Sequence, residues 1–254
     1  MLLTIDVGNT HTVLGCYDGE ELRRMWRVKT DPSQTADELL VSLHGLLGVE
    51  GICPEDVHGL SLGSVVPGLN RSWRKVGEEL CGWRVLSVDE KTVEGLLDAS
   101  AYASTPGADR LADAVAARML YGDPVVVVDM GTATNIEVVG DGGRFLGGVI
   151  APGIRTGAES LAGRTALLPE VELLDPGHAI GVDTVSAMQI GVVYGQVDSI
   201  DGLIRRIWEE LGCQCPVVAT GGFGGLLGEL SRTLTCVNPE LTLQGLRLIY
   251  EARS

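Results

Sequence analysis

Leu2-Leu3-Thr4-Ile5-Asp6-Val7-Gly8-Asn9-Thr10-His11-Thr12-Val13-Leu14 stands near the start of the chain. Val125-Val126-Val127-Val128-Asp129-Met130-Gly131-Thr132-Ala133-Thr134-Asn135-Ile136-Glu137 stands midway along it. Each is an apolar run, then Asp-x-Gly, then small polar residues, then a second β-rich run. The copies are offset by 123 residues in a chain of 254. The apolar runs are β-branched or aliphatic and read as buried strands. The glycine permits a tight turn and close backbone approach. Each second run reaches its own turn, at Asp18-Gly19 in the first copy and Asp141-Gly142-Gly143 in the second. Asp-Gly is a strong hairpin signal. Two such hairpins, each opening one half, predict two related domains facing each other, over residues 1–112 and 113–254.

The rest of the chain fills these halves. Leu39, Leu40, Leu43, Leu46 and Leu47 have helical spacing within Thr35 to Leu47. Leu60 to Val66 reads as a strand. Ala108 to Leu120 reads as a helix with Leu111, Val115, Met119 and Leu120 on one stripe. Thr184 to Leu211 is a helical stretch expected in two pieces. Val217 to Thr220 reads as a strand running into Gly221-Gly222, and Leu243 to Ala252 as a closing helix. Strands alternating with helices predict an α/β protein.

Composition narrows the function classes. Hydrophobic residues make up 45% and charged residues 21%, enough apolar material for a real core. Aromatics are 4%, so that core rests on Val, Leu, Ile and Ala. Net charge is −15, from 34 acidic and 19 basic residues. The densest basic cluster, Arg23, Arg24, Arg27 and Lys29, is diluted by Glu20 and Glu21. It reads as a solvated face, so no nucleic-acid partner is expected. Any bound polyanion must be held by local devices, namely backbone N–H groups, helix N-termini and a cation. The six cysteines contain no C-x₂-C pair, so zinc is unsupported, and reduced buried thiols are expected. Asp6 interrupts the one N-terminal apolar run, so no signal peptide is expected. No apolar stretch approaches the ~20 residues of a membrane helix. The expectation is a cytoplasmic protein with no membrane partner.

Each Asp-x-Gly elbow supplies what a phosphate needs: turn N–H donors and a carboxylate that a cation can bridge. An ordinary hairpin turn explains one such elbow, but two copies favour phosphate binding. Neither elbow holds a lysine and no G-x-x-x-x-G-K-[ST] occurs, which excludes a P-loop. No complete G-x-G-x-x-G occurs, which argues against a dinucleotide site. Thr220-Gly221-Gly222 reads either as a strand-end turn or as a close approach to an adenosine. In Pro106-Gly107-Ala108-Asp109-Arg110, Asp109 reads as a helix N-cap or as a catalytic base, and spacing alone leaves both open. Arg110 suits a bidentate grip on a carboxylate or phosphoryl group. Gly147-Gly148-Val149-Ile150-Ala151-Pro152-Gly153 reads as an irregular loop or as backbone brought close to a ligand. Thr184 is a candidate N-cap. Gly191 and Gly195 lie four apart on the same helix and suit close packing, including a subunit contact.

Taken in order, Asp6-x-Gly8-Asn9-Thr10, Gly107-x-Asp109-Arg110, Asp129-x-Gly131-Thr132-Ala133, Gly147-Gly148-x-Ile150-x-Pro152-Gly153, Ile180-Gly181 with Thr184, Thr220-Gly221-Gly222 and Leu241-Thr242-Leu243-x-Gly245-Leu246 resemble the type III pantothenate kinases. The resemblance spans nearly the whole chain. It implies the actin-like ATPase architecture: two related ribonuclease-H-like domains with mixed sheets flanked by helices. It implies transfer of the ATP γ-phosphoryl group to the terminal hydroxyl of pantothenate, the first step of coenzyme A synthesis, by a homodimer. Mg²⁺ and a monovalent cation, K⁺ or NH₄⁺, are implied as cofactors. By resemblance, Asp6, Val7, Gly8, Asn9, Thr10, His11, Thr12, Val13 and Thr132 contact ATP. Asp109 is the proton acceptor, and Gly107, Ala108, Asp109 and Arg110 contact pantothenate. Asp129 holds the monovalent cation, and Thr184 is a substrate contact reaching the partner subunit's site. Three positions depart from the family. Asn135 and Glu137 stand where it has Thr and Asp, and Ser100 stands where it has a tyrosine, with Tyr102 as the nearby substitute. The alternatives are a non-catalytic regulatory relative, or a kinase of another small hydroxy-acid.

Overall fold

The run Leu2–Val7 forms strand β1 in the computed structural model, which describes residues 1–165 and 167–254. Strand β2 (His11–Asp18) returns antiparallel to it, and β3 (Glu21–Lys29) returns along β2. Gly19, at φ +61, makes the turn expected at Asp18-Gly19, where glycine alone is unstrained. Helix α1 (Ala36–Val49) then carries the chain over to β4 (Gly59–Ser64), parallel to β1 on its other side. Thr35 and Glu38 start that helix with a capping box, which satisfies two otherwise orphaned amides. Helix α2 (Pro67–Lys75) crosses to the parallel strand β5 (Arg84–Ser87). The sheet order is β3-β2-β1-β4-β5.

The second half repeats the path. After α3 (Ala108–Tyr121), strands β6 (Val125–Met130), β7 (Ala133–Gly140) and β8 (Arg144–Pro152) form an antiparallel meander. Gly142 and Gly143, at φ +70 and +73, turn the second hairpin. Helices α4 (Ile154–Arg164) and α5 (Thr184–Leu211) precede β9 (Val217–Thr220), which lies parallel to β6. Helix α6 (Gly224–Leu230) leads to β10 (Cys236–Val237), and α7 (Leu241–Ala252) closes the chain. The second sheet runs β10-β9-β6-β7-β8, the first order read from its other edge.

The duplication reaches individual side chains. Leu3, Ile5 and Val7 are buried in a core with Leu39, Leu43 and Leu47 of α1 and Leu69 and Trp73 of α2. The 123-residue offset carries them onto Val126, Val128 and Met130, buried with Ile154 of α4, Val193, Val197 and Ile200 of α5 and Leu227 of α6. Side chains alternate across a strand, so Asp6 and Asp129 both fall on the opposite strand face. Each is the fifth of six residues in its strand.

Two compact units result: Met1–Ala116 with Leu241–Ser254, and Ala117–Glu240. The sequence suggests contiguous halves, 1–112 and 113–254, whereas the observed first unit takes in the closing segment. Its helix α7 is fastened there by close approach. A Cβ on Gly59 would lie 2.0 Å from Tyr250 Oη, and one on Gly245 would lie 2.0 Å from the Ala112 carbonyl oxygen. Ser61 donates to the Leu246 carbonyl at 2.7 Å and Thr242 donates to Asp113 at 2.7 Å.

Helix α5 corrects a second expectation: it is one helix of 28 residues, not two pieces. It holds no proline, and its buried stripe of Val192, Val193, Val197, Ile200 and Ile204 runs on without a break, so packing overrides the helix-weakening glycines. Its N-cap is Asp183, reciprocated by Ser186, and not Thr184, which is the first helical residue. The basic cluster is exposed on β3, where Arg23 pairs with Glu21 and Arg24 with Glu50. The cysteines are all free, but Cys53 and Cys213 are exposed, against the expectation of buried thiols. Among the described residues no helix is long and apolar enough to cross a membrane.

Candidate active site

The first elbow is built by three residues, Gly8-Asn9-Thr10, between β1 and β2. The Gly8 amide donates to the His11 carbonyl at 3.0 Å and closes the turn. Asp6 is half-buried at the strand end, and Asn9, Thr10 and His11 are exposed. Val7 and Thr12 turn inward, at 0% and 3% exposure. Of the residues expected to contact ATP, the elbow therefore presents Asp6 and the Gly8–His11 turn. Thr12 instead bonds Thr30, Oγ1 to Oγ1 at 2.9 Å. Thr30 also donates its hydroxyl to the Gly8 carbonyl at 2.8 Å and its amide to the Thr10 carbonyl at 3.0 Å.

The second elbow is one residue shorter. Gly131-Thr132 alone joins β6 to β7, and the Gly131 amide donates to the Ala133 carbonyl at 2.9 Å. Gly153 presses on it. A Cβ on Gly153 would stand 2.4 Å from the Gly131 carbonyl oxygen and 2.5 Å from that of Thr132. The Thr132 carbonyl accepts from the Gly153 amide at 3.2 Å and from the Thr156 hydroxyl at 2.7 Å. Thr132 itself is exposed. The backbone of Gly147–Pro152 belongs to strand β8 rather than to an irregular loop, and Gly153, the N-cap of α4, makes a close approach to the elbow itself.

Gly221, at φ +84, packs against Asp129: a Cβ there would fall 2.4 Å from Asp129 Oδ1. Asp129 thus lies half-buried in a cradle that one methyl group would fill, flanked by Asn135 on β7 and Thr220 on β9. One carboxylate among backbone groups fits a weakly held cation. Among the described residues there is no cluster of three or more His, Cys, Asp or Glu able to cage a metal. Mg²⁺ is usually bound through one or two carboxylates and the substrate's own phosphates, and the first elbow offers one carboxylate, Asp6, at the end of β1. The substituted positions differ in fate. Glu137 is fully buried, while Asn135 is half-buried beside Asp129.

The third cluster lies in the first unit. The Leu111 amide donates to the Gly107 carbonyl at 3.0 Å. Gly107 therefore takes the cap position and Asp109 is the second helical residue, which removes the N-cap reading of Asp109. Its Oδ1 accepts from the Arg110 amide at 2.8 Å. A Cβ on Gly107 would lie 2.4 Å from that oxygen, so only glycine leaves the carboxylate where it is. Arg110 is 8% exposed and donates to Tyr102 Oη at 3.3 Å. Ser100 is exposed and bonded to Asp98 at 2.6 Å. Tyr102, not Ser100, is thus the side chain that meets Arg110. Thr184 lies in the second unit and is exposed; Ile180 and Val182, just before it, are 81% and 89% exposed.

Sequence reading missed Thr30 and Thr156. Each acts on an elbow across a long sequence separation, and nothing local marks either one. The glycines of α5 make no close packing within the chain, since a Cβ on Gly191 or Gly195 would meet nothing within 4 Å.

Comparison with known proteins places the chain. The family model for type III pantothenate kinase matches residues 2–206. A type III pantothenate kinase of Frankia alni is 46% identical over 252 residues, covering 99% of both chains. One from Roseiflexus castenholzii is 44% identical, covering 99% of this chain and 98% of its own. Two solved structures share the fold at lower identity. A Baf family transcriptional activator from Campylobacter jejuni has a TM-score of 0.61 at 19% identity, covering 99% of this chain and 98% of its own. A ROK hexokinase from Thermus thermophilus has 0.57 at 16%, covering 100% and 99%. The duplicated sheets, the two elbows and the Gly107–Arg110 cluster lie in a chain matched along its length at this identity: it belongs to the type III pantothenate kinase family.

Proposed function

We propose that this chain transfers the γ-phosphoryl group of ATP to the terminal hydroxyl of pantothenate, giving 4'-phosphopantothenate for coenzyme A synthesis. The observation that carries the reading is the geometry of the Gly107–Asp109–Arg110 cluster in a chain that belongs to this kinase family. Asp109 stands in the first turn of α3 with its carboxylate located by its own backbone, ready to accept a proton. In this reading Asp109 takes the hydroxyl proton as the new O–P bond forms and the bond to ADP breaks. Arg110, held beside Tyr102, grips the pantothenate carboxylate. Asp6 and the Gly8–His11 turn hold phosphate oxygens, as does Thr132. Asp129 would hold the monovalent cation and Asp6 would face Mg²⁺. When bound, these cations offset phosphate charge that a protein of net charge −15 opposes.

The working state is proposed to be a cytoplasmic homodimer with Thr184 reaching the partner's site. The exposed Ile180, Val182 and Val185 around Thr184 support this, since contiguous exposed apolar groups mark contact surfaces. The test is ADP release coupled to an optical readout, with pantothenate, without it, and with other small hydroxy-acids. Pantothenate-dependent release is expected. Release that ignores pantothenate, or that favours another hydroxy-acid, would overturn the assignment of the acceptor.

A further inference from the structure

We infer that Thr30 is a positioning residue for the nucleotide: it sets the orientation of the first phosphate elbow through a hydrogen-bond chain from Thr12. The inference rests on the reading of that elbow as an ATP phosphate site. Thr30 follows the last residue of β3, and nothing places it among the ligand contacts. It is 5% exposed, yet three of its bonds serve the elbow or its neighbour.

The hydrogens can be assigned. A threonine hydroxyl has one proton. That of Thr30 goes to the Gly8 carbonyl, so in the 2.9 Å contact between the two hydroxyls Thr12 is the donor. The chain runs Thr12 O–H to Thr30 O–H to Gly8 C=O, and such chains polarise one another. A second bond, from the Thr30 amide to the Thr10 carbonyl, fixes the other end of the turn.

The consequence is electrostatic. A carbonyl oxygen facing a phosphate repels it, while an amide N–H attracts it. In a trans peptide the C=O and the next N–H point in opposite directions. Because the Gly8 carbonyl is drawn toward the buried Thr30, the Asn9 N–H is turned away from Thr30, in a turn whose Asn9 and Thr10 are exposed. Thr30 thus presets which side of the elbow donates.

The test compares wild type, Thr30→Val, Thr30→Ser and Thr12→Val. Mg-ATP binding is followed by titration calorimetry, melting by circular dichroism, and both Michaelis constants by the coupled assay. Thr30→Val keeps the shape and deletes the hydroxyl; ATP binding should weaken about tenfold, the effect of one lost hydrogen bond at a buried acceptor. The pantothenate KM should stay unchanged. Thr30→Ser should restore ATP binding, and Thr12→Val should weaken it in the same direction but less. ATP binding unchanged in Thr30→Val overturns the inference. So does failure of Thr30→Ser to rescue, or equal losses for ATP and pantothenate that track the melting temperature. If Thr30→Val does not fold, Thr12→Val carries the same comparison. Wild-type protein that binds Mg-ATP without phosphorylating pantothenate overturns the functional reading alone, and the variants still decide the role of Thr30. Wild type that binds no Mg-ATP overturns both.

Discussion

The Arg110 guanidinium carbon stands 5.6 Å from the centre of the Tyr102 ring, and its Nη1 donates to Tyr102 Oη at 3.3 Å. Tyr102 therefore holds the arginine that the proposed acceptor needs. Tyr102→Ala is expected to raise the pantothenate KM about tenfold, since it removes both a cation–π contact and a hydrogen bond. Tyr102→Phe keeps the ring and should lose less, and Ser100→Ala should change nothing. Steady-state kinetics with ATP saturating will read this. A Ser100→Ala effect as large as that of Tyr102→Ala would count against the substitution of one for the other.

Asp109→Asn is expected to lower kcat by roughly 10³, within the range for loss of a general base, while ATP still binds. Gly107→Ala offers an independent check on geometry. Its Cβ would meet Asp109 Oδ1 at 2.4 Å and Val65 Cγ1 at 3.3 Å, so the carboxylate must move. A kcat loss of about 10² is expected, because small displacements of a reacting group are costly. Calorimetry with Mg-ATP should show near-normal affinity for both variants.

At Gly221 the φ of +84 and the 2.4 Å approach of a Cβ to Asp129 Oδ1 act together. Gly221→Ala would strain the turn and push the carboxylate out of its cradle. The potassium concentration for half-maximal rate should rise about tenfold, with Asp129→Asn behaving alike. Replacing potassium by lithium in the wild type should lower the rate. A potassium response identical in all three proteins would remove Asp129 from the cation site.

Asp201 makes a buried polar knot outside these clusters. It is 3% exposed and accepts from Ser231 Oγ at 2.5 Å, from Thr233 Oγ1 at 2.7 Å and from the Arg232 amide at 3.0 Å. Burial pushes its carboxyl up, but the hydroxyls of Ser231 and Thr233 and the amides of Arg232 and Thr233 outweigh this and hold it below the ordinary range. A lowered folded pKa stabilises the native state above the unfolded value, and the gain is lost as pH falls through the folded value. Asp201→Ala should cost about 2 kcal/mol at pH 7, near 5 °C in melting temperature. The gap from wild type should begin to narrow as pH falls below about 4. Melting curves at pH 7 and pH 3 will check it.

What the sequence made legible was what is local. The Asp-x-Gly repeat, strand alternation and helical spacing depend on near neighbours, and the 123-residue offset maps Leu3 onto Val126 as the structure does. The helix cap was misplaced by one residue because Asp183 and Thr184 both carry capping oxygens, and only the reciprocal bond from Ser186 separates them. The break expected in α5 does not occur, because the continuous apolar stripe decides. Thr30 acts across 22 residues on Gly8, and the closing helix acts across 185 on Ser61. Contacts at such separations leave no periodicity to read. The elbows looked alike in sequence but differ by one residue in length, a difference fixed by register.

A ribosome makes β1 and β4 long before α7. Until Leu241–Ser254 has left the exit tunnel, the strand face bearing Gly15, Gly59 and Gly63 lacks Leu243, Tyr250 and Leu246, the side chains that cover it. The middle unit, an uninterrupted segment, can finish while its neighbour waits. A premature stop shortly before Leu241 would therefore leave an intact second sheet joined to a sticky, half-made first one, prey for proteases and chaperones rather than a slow enzyme.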